Sequence, residues 1–237
     1  MMPASSSLQR KDLMLLPFLL LVLLYMVAFE PFFQRPPETV LTAVTKAAPI
    51  LYLACYVGLT PNFQENPLAL GARVGLVLSS LGDMCLVWFR TLFLPGVFFF
   101  ALAQMGYIFG LASWLRRGSH PTGAYAREFI VTCAVSYLYL FTGVESWLMA
   151  VCLLGYSSLL FVMANLSLQR HLVEGNRGSL YGLVGGLSFL LSDLLIGITK
   201  WKLTLPFSEC LIMVTYYLAQ GAIAAGAVNS ARAKRRE

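Results

Sequence analysis

Two aspartates, Asp83 and Asp193, lie inside stretches of sequence otherwise suited only to hydrocarbon. An ionised carboxylate at membrane depth is costly and survives by pairing or by lining a wet cavity. Two carboxylates in one desolvated cavity do not readily ionise together, so one keeps a proton while the other stays charged. That division supplies a general acid beside a base or cation stabiliser at neutral pH. Soluble glycosidases use such a pair around an oxocarbenium-like transition state. Lys46, Gln104 and Gln220 are the other polar groups expected at similar depth, and they complete a candidate shell. The simpler reading of the same residues is an Asp–Lys pair that fixes helix packing.

The elements that must carry these groups are membrane spans. The 237 residues are 58% hydrophobic and only 12% charged, about half the charged share of a soluble domain. Apolar segments run at roughly 13–29, 39–59, 70–88, 93–114, 128–143, 146–168, 179–199 and 207–228. Turn signals separate them, among them Pro36-Pro37, Thr60-Pro61-Asn62, Gly118 to Gly123 and Glu174 to Gly178. The expected fold is an all-α integral membrane protein of eight transmembrane helices in a single domain. Residues 1–12 form a cytoplasmic N-terminus and 229–237 a basic cytoplasmic tail. The boundary between spans three and four is only a short turn marked by Arg90 and Pro95, so seven spans are an alternative.

Basic residues fix the orientation. Arg10, Lys11, Arg73, Arg116, Arg117, Arg127, Arg170, Arg177 and the tail fall on one side; Arg35, Arg90, Lys200 and Lys202 fall on the other. The positive-inside rule puts the first set, and both termini, in the cytoplasm. The sequon at Asn165 then falls at a cytoplasmic helix end.

The two halves resemble each other. Leu81-Gly82-Asp83 ends span three and Leu191-Ser192-Asp193 ends span seven; Leu102-Ala103-Gln104 in span four matches Leu218-Ala219-Gln220 in span eight. Aligning the aspartates sets Gly75 opposite Gly185. The expectation is two parallel four-helix repeats, 13–114 and 128–228, related by an axis along the membrane normal. Both aspartates then lie at one depth, towards the non-cytoplasmic ends of their helices. Ser79 and Gly75 share the face of Asp83, and Phe189 and Gly185 that of Asp193. Small residues there allow close helix approach.

Several other classes fit poorly. The net charge of +6 is spread over loops and tail, which argues against nucleic acid and for contact with the lipid surface. Cys55, Cys85, Cys133, Cys152 and Cys210 have no metal-ligand spacing and read as free thiols. His120 and His171 fall in predicted cytoplasmic loops, so a serine–histidine site and a zinc site lack support. The first apolar run lacks a small-residue cleavage site and reads as a retained span.

Lys46-Ala47-Ala48-Pro49, Gly82-Asp83, Ser192-Asp193 with Lys200, and Tyr216-Tyr217-Leu218-Ala219-Gln220 occur in order on the expected spans. In these residues the chain resembles the lysoplasmalogenases, the YhhN-like multispanning membrane proteins, over most of its length. The resemblance implies hydrolysis of the vinyl-ether bond of a lysoplasmalogen to a fatty aldehyde and glycerophosphoethanolamine or glycerophosphocholine. Asp83 and Asp193 match the family's intramembrane aspartates and are the expected catalytic pair. Asp193 is favoured as the acid because Phe189, Leu190 and Leu191 make its surroundings apolar. Lys46 would pair with the ionised aspartate or meet the lipid phosphate; Gln104, Tyr216, Tyr217, Gln220 and Lys200 would bind substrate. No cofactor or metal is required. The expected partners are a lysophospholipid and membrane lipid, with a homodimer left open, and the family implies the endoplasmic reticulum. One departure stands out: several family members carry His where this chain has Gln104.

Two rival readings share these features. A proton-coupled transporter or channel would also use repeats and inward carboxylates. Against it, Pro49 is the only clear interior proline near the charged shell, and the polar groups gather in one half of the bilayer. A seven-span receptor needs a different span count and paired extracellular cysteines that the sequence does not place.

Overall fold

The computed structural model describes residues 15–29, 35–60, 63–115, 131, 134–135, 137–139, 142–144 and 146–233. Seven α-helices have defined bounds: α1 Leu16–Phe29, α2 Val40–Gly58, α3 Pro67–Val87, α4 Phe93–Leu115, α5 Trp147–Glu174, α6 Arg177–Trp201 and α7 Ser208–Ala233. A 3-10 turn, Phe63–Glu65, precedes α3. The fold is all-helical among the described residues. Six helices, α2 to α7, are long and apolar enough to cross a membrane. The apolar run at 13–29 forms α1, which at 14 residues is shorter than the ~20 a full span needs. Half of the predicted span 128–143 lies outside the described residues, as do His120, Cys133, the basic residues between α4 and α5, and Lys234 to Arg236.

Local chemistry sets the helix ends. Thr39 caps α2 by accepting from the Thr42 N–H, and Asn66 caps α3 through the N–H groups of Leu68 and Ala69, with Pro67 in the first turn. Ser146 and Asn176 cap α5 and α6 in the same way. Pro95 lies in the first turn of α4, where its missing N–H costs nothing. The turn expected there is the short stretch between Val87 and Phe93.

The C-terminal end of α5 differs from the sequence expectation. The helix continues past residue 168 to Glu174 and stops at Gly175, whose φ of 57° suits glycine. Asn165 is therefore inside the helix rather than at its end. His171 belongs to the last turn of α5, not to a loop, and its Nδ1 lies 3.1 Å from Ser179 Oγ. The reason is tertiary: Arg170 is buried there, bonded to Glu174 (2.9 Å) and to Ser230 of α7 (2.7 Å).

Two helix pairs pack most closely, α3 with α4 and α6 with α7. Glycine makes both contacts possible. A methyl at Gly75 would collide with the Tyr107 ring, and one at Gly185 would come within 2.6 Å of Ile223 and 3.0 Å of the Ala219 carbonyl. Between the pairs lies an aromatic core of Phe100, Tyr107, Phe189, Tyr216 and Tyr217, in edge-to-face and tilted contacts. The broad apolar faces of α1 and α5, such as Leu19, Leu23, Val151 and Leu154, point outward. That arrangement suits lipid rather than water.

Candidate active site

Asp83 lies in the penultimate turn of α3, and Asp193 two turns before the end of α6. Lys46 is two turns into α2, whose start lies at the same end of the bundle. Helix direction thus gathers all three charges towards the loops at 35–39, 88–92 and 202–207. Ser79 and Phe189, one turn before the aspartates, are fully buried, so both aspartate faces point inward as expected.

Asp83 is 1% exposed. Its Oδ1 lies 3.8 Å from Lys46 Nζ, and its Oδ2 accepts a 2.5 Å hydrogen bond from the Tyr216 hydroxyl. This carboxylate therefore has a cation and a strong donor. Asp193 is different. It is half-buried, and its Oδ2 accepts from the Tyr156 hydroxyl on α5; among the described residues it has no cationic partner. The two aspartates are near enough to interact electrostatically.

Both line one cavity of about 250 Å³, together with Lys46, Tyr156 and Tyr216. The rest of the wall is largely apolar: Phe93, Val97, Leu153, Leu160, Phe161 and Leu190 are among its residues. The Tyr137 hydroxyl donates to the Ala150 carbonyl (2.8 Å) and so holds the preceding segment against this wall. Leu191, one of the residues expected to surround Asp193, instead faces outward. Leu190 and Phe189 do contribute, the first at the cavity and the second beneath it.

The other expected residues form a layer below the carboxylates. Tyr217 donates to the Lys46 carbonyl (3.0 Å), in the turn of α2 that Pro49 interrupts. Gln220 is fully buried and accepts from the Tyr107 hydroxyl (2.7 Å), which also meets Ser79 Oγ (3.3 Å). Gln104, also fully buried, lies near the Tyr156 hydroxyl without a hydrogen bond of good geometry at either amide atom. None of these three lines the cavity. Lys200 sits at its rim, with Nζ 4.3 Å from the ring centres of both Phe89 and Phe93.

Tyr156 is the residue that the sequence reading missed. A lone tyrosine in an apolar span carries little signal by itself. Its separation from Asp193, 37 positions, equals that of Lys46 from Asp83, and this would have singled it out once the halves were aligned.

Chemically, the site offers one carboxyl group held by Lys46 and Tyr216, and a second without a counter-cation among the described residues. Between them is a mostly apolar space able to take a lipid chain. The groups suit proton transfer to and from a nonpolar substrate.

A family model described as the YhhN family matches residues 41–227. The bovine (Bos taurus) protein named lysoplasmalogenase TMEM86A is 31% identical over 226 residues, which cover 91% of this chain and 89% of that protein. Human lysoplasmalogenase TMEM86B is 30% identical over 227 residues, covering 94% and 91%. The mouse (Mus musculus) protein of the latter name is 30% identical over 210 residues, covering 87% and 82%. No solved structure gives a significant match.

Proposed function

The chain belongs to the YhhN family of multi-pass membrane proteins, and from that premise we propose that it is a lysoplasmalogenase, with Asp83 and Asp193 as its catalytic pair. The observation that carries the reading is the unequal setting of two carboxyls on one cavity. Lys46 and Tyr216 hold Asp83 as the carboxylate, while Asp193, facing only the Tyr156 hydroxyl, carries the proton.

The reaction follows from that difference. Asp193 protonates the β-carbon of the vinyl ether, and the electron pair of the double bond forms the new C–H bond. The α-carbon becomes an oxocarbenium ion, stabilised by the Asp83 carboxylate. Asp83 then takes a proton from water as its oxygen bonds to that carbon. The hemiacetal collapses: its O–H proton passes to Asp193, the bond from carbon to the glycerol oxygen breaks, and Asp83 returns its proton to that oxygen. Aldehyde and glycerophospho-base leave, and both aspartates regain their starting states. Gln220 and Tyr217 support this centre from below through the Tyr107 hydroxyl and the Lys46 carbonyl, and Gln104 lies beside Tyr156.

The finer architecture is part of the same reading. The chain is a bundle of eight spans, with residues 13–114 and 128–228 as parallel repeats and 1–12 and 229–237 outside the membrane. Its support is a consistent offset: Gly75 meets Tyr107 and Gly185 meets Ile223, the pairs being related by the same shifts as the two aspartates and the two glutamines. The distribution of Lys and Arg favours cytoplasmic termini, and the endoplasmic reticulum is the membrane that the resemblance implies. The partners are the lysophospholipid and the surrounding bilayer; a homodimer would use α5, the span with the smallest buried share.

The test is aldehyde release from lysoplasmenylethanolamine by the purified protein, beside Asp83→Asn and Asp193→Asn. Loss in both variants, with folding intact, supports the pair. Activity that survives both removes the mechanism, and a wild type inactive on every vinyl-ether lipid removes the function.

A further inference from the structure

A smaller polar pocket of about 80 Å³ adjoins the cavity. Lys46, Leu86, Ile196, Ile212 and Met213 line both, so the two spaces meet beside the ammonium that faces Asp83. Beyond them the pocket is bounded by Arg35, Glu38, Phe89, Thr199 and Glu209. Two cations converge on one ring there: Arg35 Cζ lies 3.9 Å and Lys200 Nζ 4.3 Å from the centre of Phe89. Arg35 Nε is bonded to Glu209 (2.6 Å), whereas Lys200 has no carboxylate partner among the described residues.

Two like charges held around one aromatic ring repel. Glu209 is bonded to Arg35 and Glu38 lines the same pocket, whereas Lys200 lines neither space and has no carboxylate partner among the described residues. An anion with several acceptor oxygens that reaches both cations relieves the repulsion. An Arg and a Lys against one ring are suited to phosphate, the first through its planar fork and the second as a point charge. The pocket also lies at the loop end of the bundle, where a lipid phosphate would rest while its chain stays in hydrocarbon.

We propose that Arg35 and Lys200 form the phosphate subsite for the head group of the lysophospholipid. The inference rests on the hydrolase reading for the identity of the lipid and extends it by fixing the substrate's direction. The head group occupies the polar pocket, the glycerol carbons pass Lys46, the vinyl ether reaches Asp83 and Asp193, and the hydrocarbon chain follows Phe93, Val97 and Leu160. Glu38 and Glu209, on the same wall, face the head-group amine.

The test reads binding separately from turnover. A 1-alkyl lysophosphoethanolamine lacks the vinyl bond and binds without being cleaved; 1-alkylglycerol is the same molecule without the phosphate head group. The ratio of their affinities for the purified full chain reports the subsite. The wild type should favour the phospholipid by roughly tenfold to a hundredfold, as charge-assisted hydrogen bonds to phosphate would give. Arg35→Gln with Lys200→Gln should bring the ratio close to one, and Arg35→Lys with Lys200→Arg should restore most of it. Inorganic phosphate in large excess should compete with the phospholipid and leave 1-alkylglycerol binding unchanged. A wild-type ratio near one, a ratio unchanged in the glutamine variants, or competition by inorganic phosphate that is equal for both lipids would each overturn the assignment. A normal ratio in a protein that releases no aldehyde from the alkenyl substrate would instead keep the subsite and overturn the hydrolase reading.

Discussion

Lys46 and Tyr156 stand in equivalent places: each lies 37 positions before an aspartate and meets its carboxylate, Lys46 with an ammonium 3.8 Å from Asp83 and Tyr156 with a hydroxyl donated to Asp193. If the two halves arose from one repeat, the site's asymmetry lies in this pair and in Tyr216, whose counterpart by the same alignment is Phe100. A cation favours negative charge on the first aspartate. A neutral donor leaves the second able to carry a proton. In a symmetric cavity two equal carboxyls would share the proton, with nothing to decide which acts as the acid.

Converting the second half into a copy of the first should therefore disable it. In Tyr156→Lys an ammonium replaces the hydroxyl beside Asp193 and favours its charged form, so the acid proton is lost. Aldehyde release should fall by about a hundredfold or more, the usual worth of a general acid. Tyr156→Phe removes only a hydrogen bond and should cost closer to tenfold. Steady-state rates of the two variants, compared at equal folded protein, decide the matter; a lysine variant as active as the phenylalanine one would refute the assignment of Asp193.

Tyr216 should matter through Asp83. Its 2.5 Å hydrogen bond to a carboxylate is charge-assisted, a contact worth about 1.5–3 kcal/mol. Tyr216→Phe keeps the ring among Phe100, Phe189 and Tyr217, so packing changes little. The expected result is a fall in kcat of roughly tenfold to a hundredfold, with a thermal midpoint lowered by roughly 3–12 °C as the buried carboxylate loses its donor. A large drop in the midpoint with unchanged kcat would make Tyr216 a structural residue.

Much of this was legible before any coordinates. Apolar runs bounded by Pro, Gly and Asn located α2 to α7 to within a few residues at most ends, because lipid demands continuous helix and the turns demand particular residues. The exceptions are the C-terminal ends of α5 and α7, which run on to Glu174 and Ala233 beyond the apolar pattern. Polar side chains such as Arg170 and Ser230 stabilise those turns through each other, and hydropathy cannot register that. In the site, Asp83, Asp193 and Lys46 stood out because charge in hydrocarbon is rare. Tyr156 did not, since a tyrosine needs no excuse in a membrane helix. Arg35 and Glu209 were hidden for another reason: 174 positions separate them, and only the fold brings them together.

Gln104 is expected to trade stability for activity. Both of its amide atoms are buried without well-formed hydrogen bonds, an arrangement that costs free energy for each unmet group. Gln104→Leu removes them and should be neutral or stabilising by about 1 kcal/mol. Because the amide lies near Tyr156, the same change should lower kcat. Thermal midpoint and kcat measured on one preparation should move in opposite directions; a leucine variant that is less stable would show that the amide is satisfied in the folded protein.

Arg170 offers the control at the opposite end of the bundle. It is 4% exposed, and its guanidinium joins Glu174 on α5 to Ser230 on α7. Arg170→Met keeps the aliphatic bulk but takes a donor from both partners, Glu174 keeping that of the Asn176 amide. Glu174 retains some contact with solvent, at 23% side-chain exposure, so the cost should lie below the 3–5 kcal/mol of a fully buried broken pair, at about 1–2 kcal/mol. In a chain of this length that corresponds to a thermal midpoint lowered by roughly 2–8 °C. Because this contact is remote from the aspartate cavity, kcat per folded molecule should be unchanged. A fall in kcat at full stability would mean that the far end of α5 is coupled to Tyr156, three to four turns away along the same helix.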